Sequence, residues 1–96
     1  MVDERRQEPR VVLFGRAGCH LCEAAREVVA AVADEQGVAW AEVDIDDPGP
    51  AWAHRDLAAE MGELVPVVEV DGVPRGYWRI DADRVRRGLA PGSRRA

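Results

Sequence analysis

The two cysteines of this chain lie three residues apart, at the junction of two contrasting sequence patterns. Before them, residues 11–14 form an unbroken β-branched and aromatic run, which is typical of a strand buried on both faces. After them, apolar residues recur at the three- and four-residue steps of one helix face: Leu21, Ala25, Val28, Val29 and Val32. The pattern therefore predicts a strand at 10–15, a loop, and a helix at 19–36 that ends at Gly37.

The rest of the chain predicts two further helices and three further strands. In chain order we expect a strand at 38–45, a turn at 46–50 and a second helix that ends at Gly62 and carries Ala53, Leu57 and Met61 on one face. Strands at 65–70 and 73–78 follow. A last helix at Ala82–Leu89 is capped by Asp81. Asp71-Gly72 is a hairpin signal. Pro74 cannot donate to a strand ladder, so the fourth strand is expected at a sheet edge.

The order βαβαββα predicts an α/β fold with a mixed four-stranded sheet flanked by helices. A helix joins the first two strands, so they should be parallel with a right-handed crossover, whereas the last two form an antiparallel hairpin. Apolar strands of this kind need helices on both faces of the sheet.

Length and charge narrow the classes of protein that this chain can belong to. Ninety-six residues suit one domain, which we place at 10–90 between tails at 1–9 and 91–96. The net charge of −5 argues against a nucleic-acid partner, and no apolar run approaches the ~20 residues of a membrane span. Because the start of the chain has no signal-peptide core, we expect a cytoplasmic protein without membrane partners. Nothing in the sequence demands an oligomer, so we also expect a monomer.

A Cys-x-x-Cys pair at the start of a helix is suited to thiol–disulfide exchange. Free N–H groups and the helix dipole stabilise a thiolate at Cys19, lowering its pKa from ~8.5 by about one unit or more. Cys22 lies one turn on and should be more buried and protonated. The pair thus predicts Cys19 as the attacking nucleophile and Cys22 as the resolving thiol. His20, when protonated, would favour the thiolate further.

Other functions remain open on the cysteine pair alone. Zinc usually takes four protein ligands, and the candidates here are Cys19, Cys22, His20 and His54. His20 adjoins Cys19, which is a poor arrangement for one tetrahedron, so we assign no metal ligand. Two chains sharing an iron–sulfur cluster through Cys19 would instead make a non-enzymatic carrier. A module that keeps the fold and has lost catalysis is a third possibility.

A proline opens the otherwise apolar third strand, which is unusual. A cis bond between Val65 and Pro66 would explain it, because it would turn the N–H and C=O of Val65 away from the sheet and toward an extended peptide or thiol substrate. A trans proline starting the strand is the alternative. Val65 and Pro66 are therefore candidates for substrate binding.

Three segments resemble the glutaredoxin family of the thioredoxin superfamily. They read VVLFGRAGCHLC from residue 11, EVDID from residue 42 and VPVVEVDG from residue 65. The match runs through nearly all of residues 10–90 in the same order and spacing. The resemblance implies a thioredoxin-like, glutaredoxin-type fold with strand order second-first-third-fourth, a cis proline beside a redox-active dithiol, and electron transport by thiol–disulfide exchange. It also implies no tightly bound cofactor, and glutathione or another low-molecular-weight thiol as co-substrate.

Matched position by position, the resemblance implies a role for each site residue. Cys19 matches the nucleophile and Cys22 the resolving cysteine, and Val65 and Pro66 match the pair that docks substrate backbone. Arg16, three residues before Cys19, matches a lysine that helps to bind the carboxylate of a thiol cofactor. The implied partners are a disulfide-containing protein or small thiol substrate, and a reductase or thiol for recycling.

The chain departs from standard glutaredoxins in two places. Between the cysteines it has His20-Leu21 instead of Pro-Tyr or a similar pair. After the fourth strand, where glutaredoxins hold the γ-glutamyl group with Gly-Gly and an acidic residue, it reads GYWRID from residue 76. Tyr77 and Trp78 are bulky at this place, and Arg79 reverses the charge. The chain is thus more similar to a small glutaredoxin-like subfamily. We expect Trp78 to pack against the last helix, with a groove for a protein or another thiol as the alternative.

Overall fold

The computed structural model describes residues 9–90 and confirms the predicted fold class. Its elements are strands β1 (Val11–Gly15), β2 (Trp40–Asp44), β3 (Val67–Val70) and β4 (Val73–Tyr77), helices α1 (His20–Gln36), α2 (Leu57–Met61) and α3 (Ala82–Leu89), and a 3-10 helix at Pro50–Trp52. The predicted tails at 1–9 and 91–96 lie outside the described residues, apart from Pro9.

The sheet has the order β2-β1-β3-β4. β1 is parallel to β2 and antiparallel to β3, and β3 and β4 form an antiparallel hairpin. Asp71 and Gly72 have φ values of 52° and 81°, as a tight hairpin turn with two positive φ values requires. β4, which contains Pro74, lies at the sheet edge as predicted.

Helices cover both faces of the sheet. α1 and α3 pack on one face over an apolar core that includes Leu13, Val29 and Val85, all fully buried. α2 covers the other face, where Leu57 and Met61 pack with Phe14. The central strand β1 therefore contributes side chains to both cores, and the chain leaves its buried end at Gly15, directly before the cysteines.

The second helix was predicted as one continuous element, and this is wrong. The chain forms a 3-10 turn at Pro50–Trp52 and begins α2 only at Leu57, where the carboxylate of Asp56 accepts a hydrogen bond from the Ala59 N–H (3.1 Å). This side-chain cap starts a new helix. Ala53 falls in the interruption and is exposed.

All four strands are shorter than predicted. β1 begins at Val11, β2 covers Trp40–Asp44, β3 begins at Val67 and β4 ends at Tyr77. β4 ends there because Trp78 has a φ of 61°, which lies outside the extended region of a strand. The two residues before β3 are Val65 and Pro66, and the peptide bond between them is cis.

Candidate active site

Cys19 is the N-cap residue of α1. Its backbone is extended (φ −85°, ψ 110°), and its Sγ accepts a hydrogen bond from the N–H of Cys22 at 3.2 Å. A sulfur in this position interacts with a free amide of the first turn, and such an interaction favours the thiolate over the thiol. The local geometry that the sequence predicted for Cys19 is therefore present.

Cys22 lies one turn into α1, and its Sγ is within bonding distance of the Sγ of Cys19; the two Cα atoms are 5.3 Å apart. Cys22 is 3% exposed, whereas Cys19 is only partly buried. The first sulfur is thus the one that a substrate can approach. The second is shielded and placed to close an intramolecular disulfide.

Gly15, the last residue of β1, makes room for the second sulfur. A Cβ at this position would lie 2.9 Å from the Sγ of Cys22, which is closer than real Cβ atoms come. Any larger residue would displace either Cys22 or the strand. Gly15 is therefore a residue of the candidate site that the sequence analysis placed only at the end of the first strand.

Arg16 connects the dithiol loop to two other segments. Its Nε and Nη2 donate to the carboxylate oxygens of Asp46 (3.0 and 2.8 Å), and its Nη1 donates to the carbonyl oxygen of Gly62 (3.0 Å). The hydrogen bonds from Arg16 lower the pKa of the Asp46 carboxyl. Arg16 thereby joins the loop before Cys19 to the ends of β2 and α2.

The backbone of Val65 is available for pairing. Among residues 9–90, neither its N–H nor its C=O makes a hydrogen bond. Pro66, which follows, is buried. The pair therefore presents one unpaired donor and one unpaired acceptor at the point where β3 is about to begin.

Trp78 is not in the core, and the prediction that it packs there is wrong. Its side chain is 52% exposed. Its backbone N–H donates to the carbonyl oxygens of Leu64 (3.2 Å) and Pro66 (2.8 Å), and its indole Nε1 donates to the carbonyl oxygen of Glu63 (2.9 Å). An indole N–H needs such a polar partner, whereas Ile80, two residues on, packs against the α1–α3 core.

Leu21 is a second departure from the predicted pattern. It was placed on the buried face of α1, yet it is 43% exposed, and the buried face starts with Cys22 instead. Leu21, Val65, Tyr77 and Trp78 line a groove of about 770 Å³, which we call the thiol groove because Leu21 lies between the two cysteines in sequence. Neither cysteine lines this groove; both line a separate, smaller depression beside it. Sequence reasoning missed Leu21 and Tyr77 as candidate binding residues. The signal that could have found them is an apolar side chain between the two cysteines facing an exposed aromatic pair.

The two histidines do not join a metal site with the cysteines. His20 is exposed at the first turn of α1, beside Cys19. His54 stacks on Trp52, with ring centroids 6.3 Å apart. Among residues 9–90, no three His, Cys, Asp or Glu side chains form a group that could hold a metal ion. The four candidate ligands considered from the sequence are therefore not brought together within one chain.

The sheet order and the dithiol at the start of the first helix define a protein of the thioredoxin-fold class. A family model described as "Glutaredoxin-like domain (DUF836)" matches residues 10–90. The chain therefore belongs to this glutaredoxin-like family, which confirms the resemblance seen in its sequence. In the part of the chain that the structure describes, no helix is both long and apolar enough to cross a membrane.

Relatives and solved structures agree with this assignment. An uncharacterised protein of Mycobacterium tuberculosis is 35% identical over 82 residues, which cover 85% of this chain and 84% of the relative. A structural-genomics target protein from X. campestris is 34% identical with a TM-score of 0.60, covering 84% of this chain and 99% of that one. Reduced Escherichia coli glutaredoxin is 30% identical with a TM-score of 0.59, covering 82% and 95%. The fold and the Cys19–Cys22 pair together support a redox-type function.

Proposed function

We propose that this protein is a thiol–disulfide oxidoreductase that uses Cys19 and Cys22 to exchange with protein or low-molecular-weight disulfides. One observation carries the proposal. The Sγ of Cys19 caps α1 and accepts the amide of Cys22, while the Sγ of Cys22 lies within bonding distance. This arrangement combines an activated, accessible sulfur with a shielded partner, which is what a two-step exchange needs.

The reaction proceeds through a mixed disulfide. The Cys19 thiolate attacks one sulfur of the substrate disulfide, the Cys19–substrate bond forms, and the other substrate sulfur leaves as a thiolate that takes up a proton. Cys22 then loses its proton and attacks the Sγ of Cys19, releasing the second substrate sulfur as a thiol. The substrate has gained two electrons and two protons, and the Cys19–Cys22 disulfide holds the oxidising equivalents.

Val65 and Pro66 are the proposed docking point for the substrate backbone. The unpaired N–H and C=O of Val65 suit an extended peptide that adds to the sheet by main-chain hydrogen bonds. The exposed side chains of Leu21 and Trp78 provide apolar surface in the adjoining thiol groove. A substrate held in this way needs no charged group near its disulfide.

Arg16 and His20 are proposed as auxiliary binding residues. Asp46 and Gly62 use three of the five N–H donors that a guanidinium carries. The other two are sufficient for a carboxylate of glutathione or another low-molecular-weight thiol. His20 lines the small depression that contains Cys19 and, when protonated, would favour the thiolate. Recycling of Cys19–Cys22 by such a thiol or by a reductase, in the cytoplasm, completes the proposal.

The test compares two matched cysteine variants. For the reduced protein, the rate of alkylation as a function of pH should give a pKa below ~7 for Cys19. Cys22→Ser should accumulate a mixed disulfide with a peptide disulfide, because nothing resolves it, whereas Cys19→Ser should form none. A Cys19 pKa near the unperturbed ~8.5, with no mixed disulfide in Cys22→Ser, would contradict the proposal.

The same preparations test the non-enzymatic alternative. A carrier should purify with an iron-dependent absorbance band or with stoichiometric zinc, and should lose that metal in Cys19→Ser. An oxidoreductase should instead reduce disulfides as the metal-free protein. The reduction potential of the Cys19–Cys22 couple and a glutathione-binding assay then test the route of recycling, because a potential near that of thioredoxin would favour a reductase over a low-molecular-weight thiol.

A further inference from the structure

The arginines of this chain fall into two groups. Within residues 9–90, five of them pair with carboxylates: Arg10, Arg16, Arg26, Arg55 and Arg86. The side chains of Arg75, Arg79 and Arg84 make no hydrogen bond or ion pair with any described residue. Arg87 donates only to the backbone carbonyl of Asp83. All four arginines without a carboxylate partner lie on β4, on α3 or in the segment between them.

The net charge is also distributed unevenly along the chain, with an excess of arginine in the same β4–α3 region. Residues 73–89 carry five arginines and two aspartates, whereas residues 9–72 carry four arginines and thirteen acidic residues. A positive region on an otherwise acidic protein attracts anionic groups and guides them as they approach. The β4–α3 surface is thus electrostatically distinct from the rest of the molecule.

A second groove lies on this surface. It has a volume of about 560 Å³, and its charged lining residues are Arg75, Arg84 and Arg87. We call it the arginine groove. It shares Gly76, Tyr77 and Arg84 with the thiol groove, so the two grooves adjoin each other. Among the described residues, no acidic side chain lines the arginine groove, whereas Glu63 and Asp81 are among those that line the thiol groove.

Arg75 is held in place by the helix beside it. A Cβ on Gly88 would lie 3.0 Å from the Nε of Arg75 and 3.2 Å from its Cγ, so the absence of a side chain on α3 lets the arginine stem pack there. The Nε of Arg75 is buried and has no hydrogen-bond partner in the part of the chain that the structure describes. A buried donor without a partner is costly, and Arg75 also lines the arginine groove, where an anion would interact with its positive charge.

We propose that the arginine groove binds an acidic segment of a disulfide-bearing protein substrate. The proposal rests on the proposed function, because it places the substrate's disulfide at Cys19 and the rest of the substrate along the thiol groove, which approaches the dithiol at Leu21. A protein segment fits better than a small thiol, since the occupant must extend from Leu21 at the cysteine end to Arg87 on α3. The charges give its direction: carboxylates belong among Arg75, Arg84 and Arg87, and the disulfide lies several residues away.

The first experiment measures binding without any redox step. A fluorescein-labelled, cysteine-free peptide rich in glutamate is titrated with the full oxidised protein, and the same peptide with glutamine in place of glutamate is the control. Measurements are made at about 0.01 M and about 1 M salt, between which the Debye length falls from ~30 Å to ~3 Å. The acidic peptide should bind about tenfold more tightly than the neutral one at low salt, because each arginine–glutamate ion pair increases the affinity roughly two- to fivefold. Equal binding of the two peptides overturns the proposal.

Variants test whether the arginine groove is the place of binding. The triple variant Arg75→Gln, Arg84→Gln, Arg87→Gln should lose most of the preference, and Arg84→Gln alone should lose about two- to fivefold. Arg26→Gln removes the same charge from an arginine paired with Glu42 and should change binding less than about twofold. Circular dichroism shows that each variant is folded. Equal losses in Arg84→Gln and Arg26→Gln overturn the proposal.

Competition and kinetics distinguish the other outcomes. Full displacement of the peptide by an equal concentration of citrate, or tighter binding of a single-stranded oligonucleotide, would mean that the groove does not select a protein segment, and either result overturns the proposal.

Disulfide peptides with acidic and neutral flanks are then compared by kcat/KM. If the acidic peptide binds but no disulfide is reduced, the proposed function fails and the docking surface stands. If the acidic and the neutral disulfide peptides are reduced with equal kcat/KM, the proposed docking in the arginine groove fails and the proposed function stands.

Discussion

The dithiol segment (residues 15–22) and the opposite wall of the site are built in different ways. The dithiol segment is continuous in sequence, and its central hydrogen bond joins Cys19 and Cys22, three residues apart. The opposite wall combines the segment before β3 with the end of β4, joined by hydrogen bonds from Trp78 to Glu63, Leu64 and Pro66. The difference indicates that the reactivity of the first sulfur is a local property, whereas the surface that receives a substrate depends on how distant segments meet.

Arg16 is where the two kinds of construction meet. It lies in the local segment, directly after β1, yet it bonds to Asp46 and Gly62, which are 30 and 46 residues away. If reactivity is local, removing these bonds should leave the chemistry of Cys19 nearly unchanged. Variants in the dithiol segment and in the opposite wall therefore test whether the reactivity of Cys19 is local.

The largest effect is expected inside the dithiol segment, at Gly15→Ala. The added Cβ would overlap the Sγ of Cys22, so we expect a loss of about 1–3 kcal/mol in the free energy of unfolding, as for other overpacked sites, and a slower second step of exchange. Gly76→Ala is the matched control, because its Cβ would meet only ordinary contacts at 3.8 Å. Urea unfolding measures both variants, and equal losses would contradict the tight packing of Gly15 on Cys22.

A smaller effect is expected in the opposite wall, at Trp78→Phe. The variant keeps an aromatic ring and removes the hydrogen bond to the carbonyl of Glu63, a bond of a kind that contributes roughly 0.5–1.5 kcal/mol. The KM for a peptide disulfide should rise several-fold while the pKa of the reduced Cys19 stays that of the wild type. Tyr77→Phe, which also keeps an exposed ring beside the groove, is the control. A changed Cys19 pKa in Trp78→Phe would show that the two walls are coupled.

The smallest effect is expected at Arg16→Gln. The hydrogen bonds from Arg16 hold the pKa of Asp46 below its ordinary value, so the variant should raise that pKa back toward it, as NMR titration of the carboxyl carbon can show. A carboxyl whose pKa is lowered on folding stabilises the protein above its unfolded-state pKa, and this stabilisation is lost as the pH falls through the folded-state pKa. The wild type should therefore exceed the variant in stability at neutral pH and lose that advantage in acid.

Arg26→Gln is the control for this measurement. Arg26 lowers the pKa of Glu42 in the same way, but it connects α1 to β2 and makes no bond to the loop before Cys19. Both variants should raise the pKa of their partner carboxylate. A lower kcat/KM toward glutathione disulfide in Arg16→Gln alone would support its proposed role in binding a carboxylate, and equal values in the two variants would refute it.

Elements with a strong local signal were predicted correctly from the sequence. The apolar run at 11–14 became the central strand, Asp71-Gly72 became the tight hairpin turn, and Gly37 ends α1 with a φ of 66°. Each of these follows from interactions within a few residues. The second helix failed because Asp56 provides a stronger start for α2 than the prolines at 48 and 50.

The binding surface could not be predicted in the same way. Periodicity placed Leu21 on the buried face of α1, but Cys22 and Gly15 fill that place at the end of β1. Trp78 was expected to pack against the last helix. Its indole N–H instead has a partner outside the core, at Glu63. Both outcomes depend on which distant segment lies alongside, and a period of three or four residues carries no information about that.

The sequence by itself determined the order of the elements, the family of the fold and the position of the first cysteine at a helix start. Backbone preferences, hydrophobic periodicity and helix capping act over a few residues, so they can be recognised in a single chain. Only the tertiary structure decided which side chains form the thiol groove, that Arg16 bonds to Asp46, and that four arginines remain without a carboxylate partner among the described residues. Those outcomes depend on contacts between segments far apart in sequence, which exist only after the sheet has assembled.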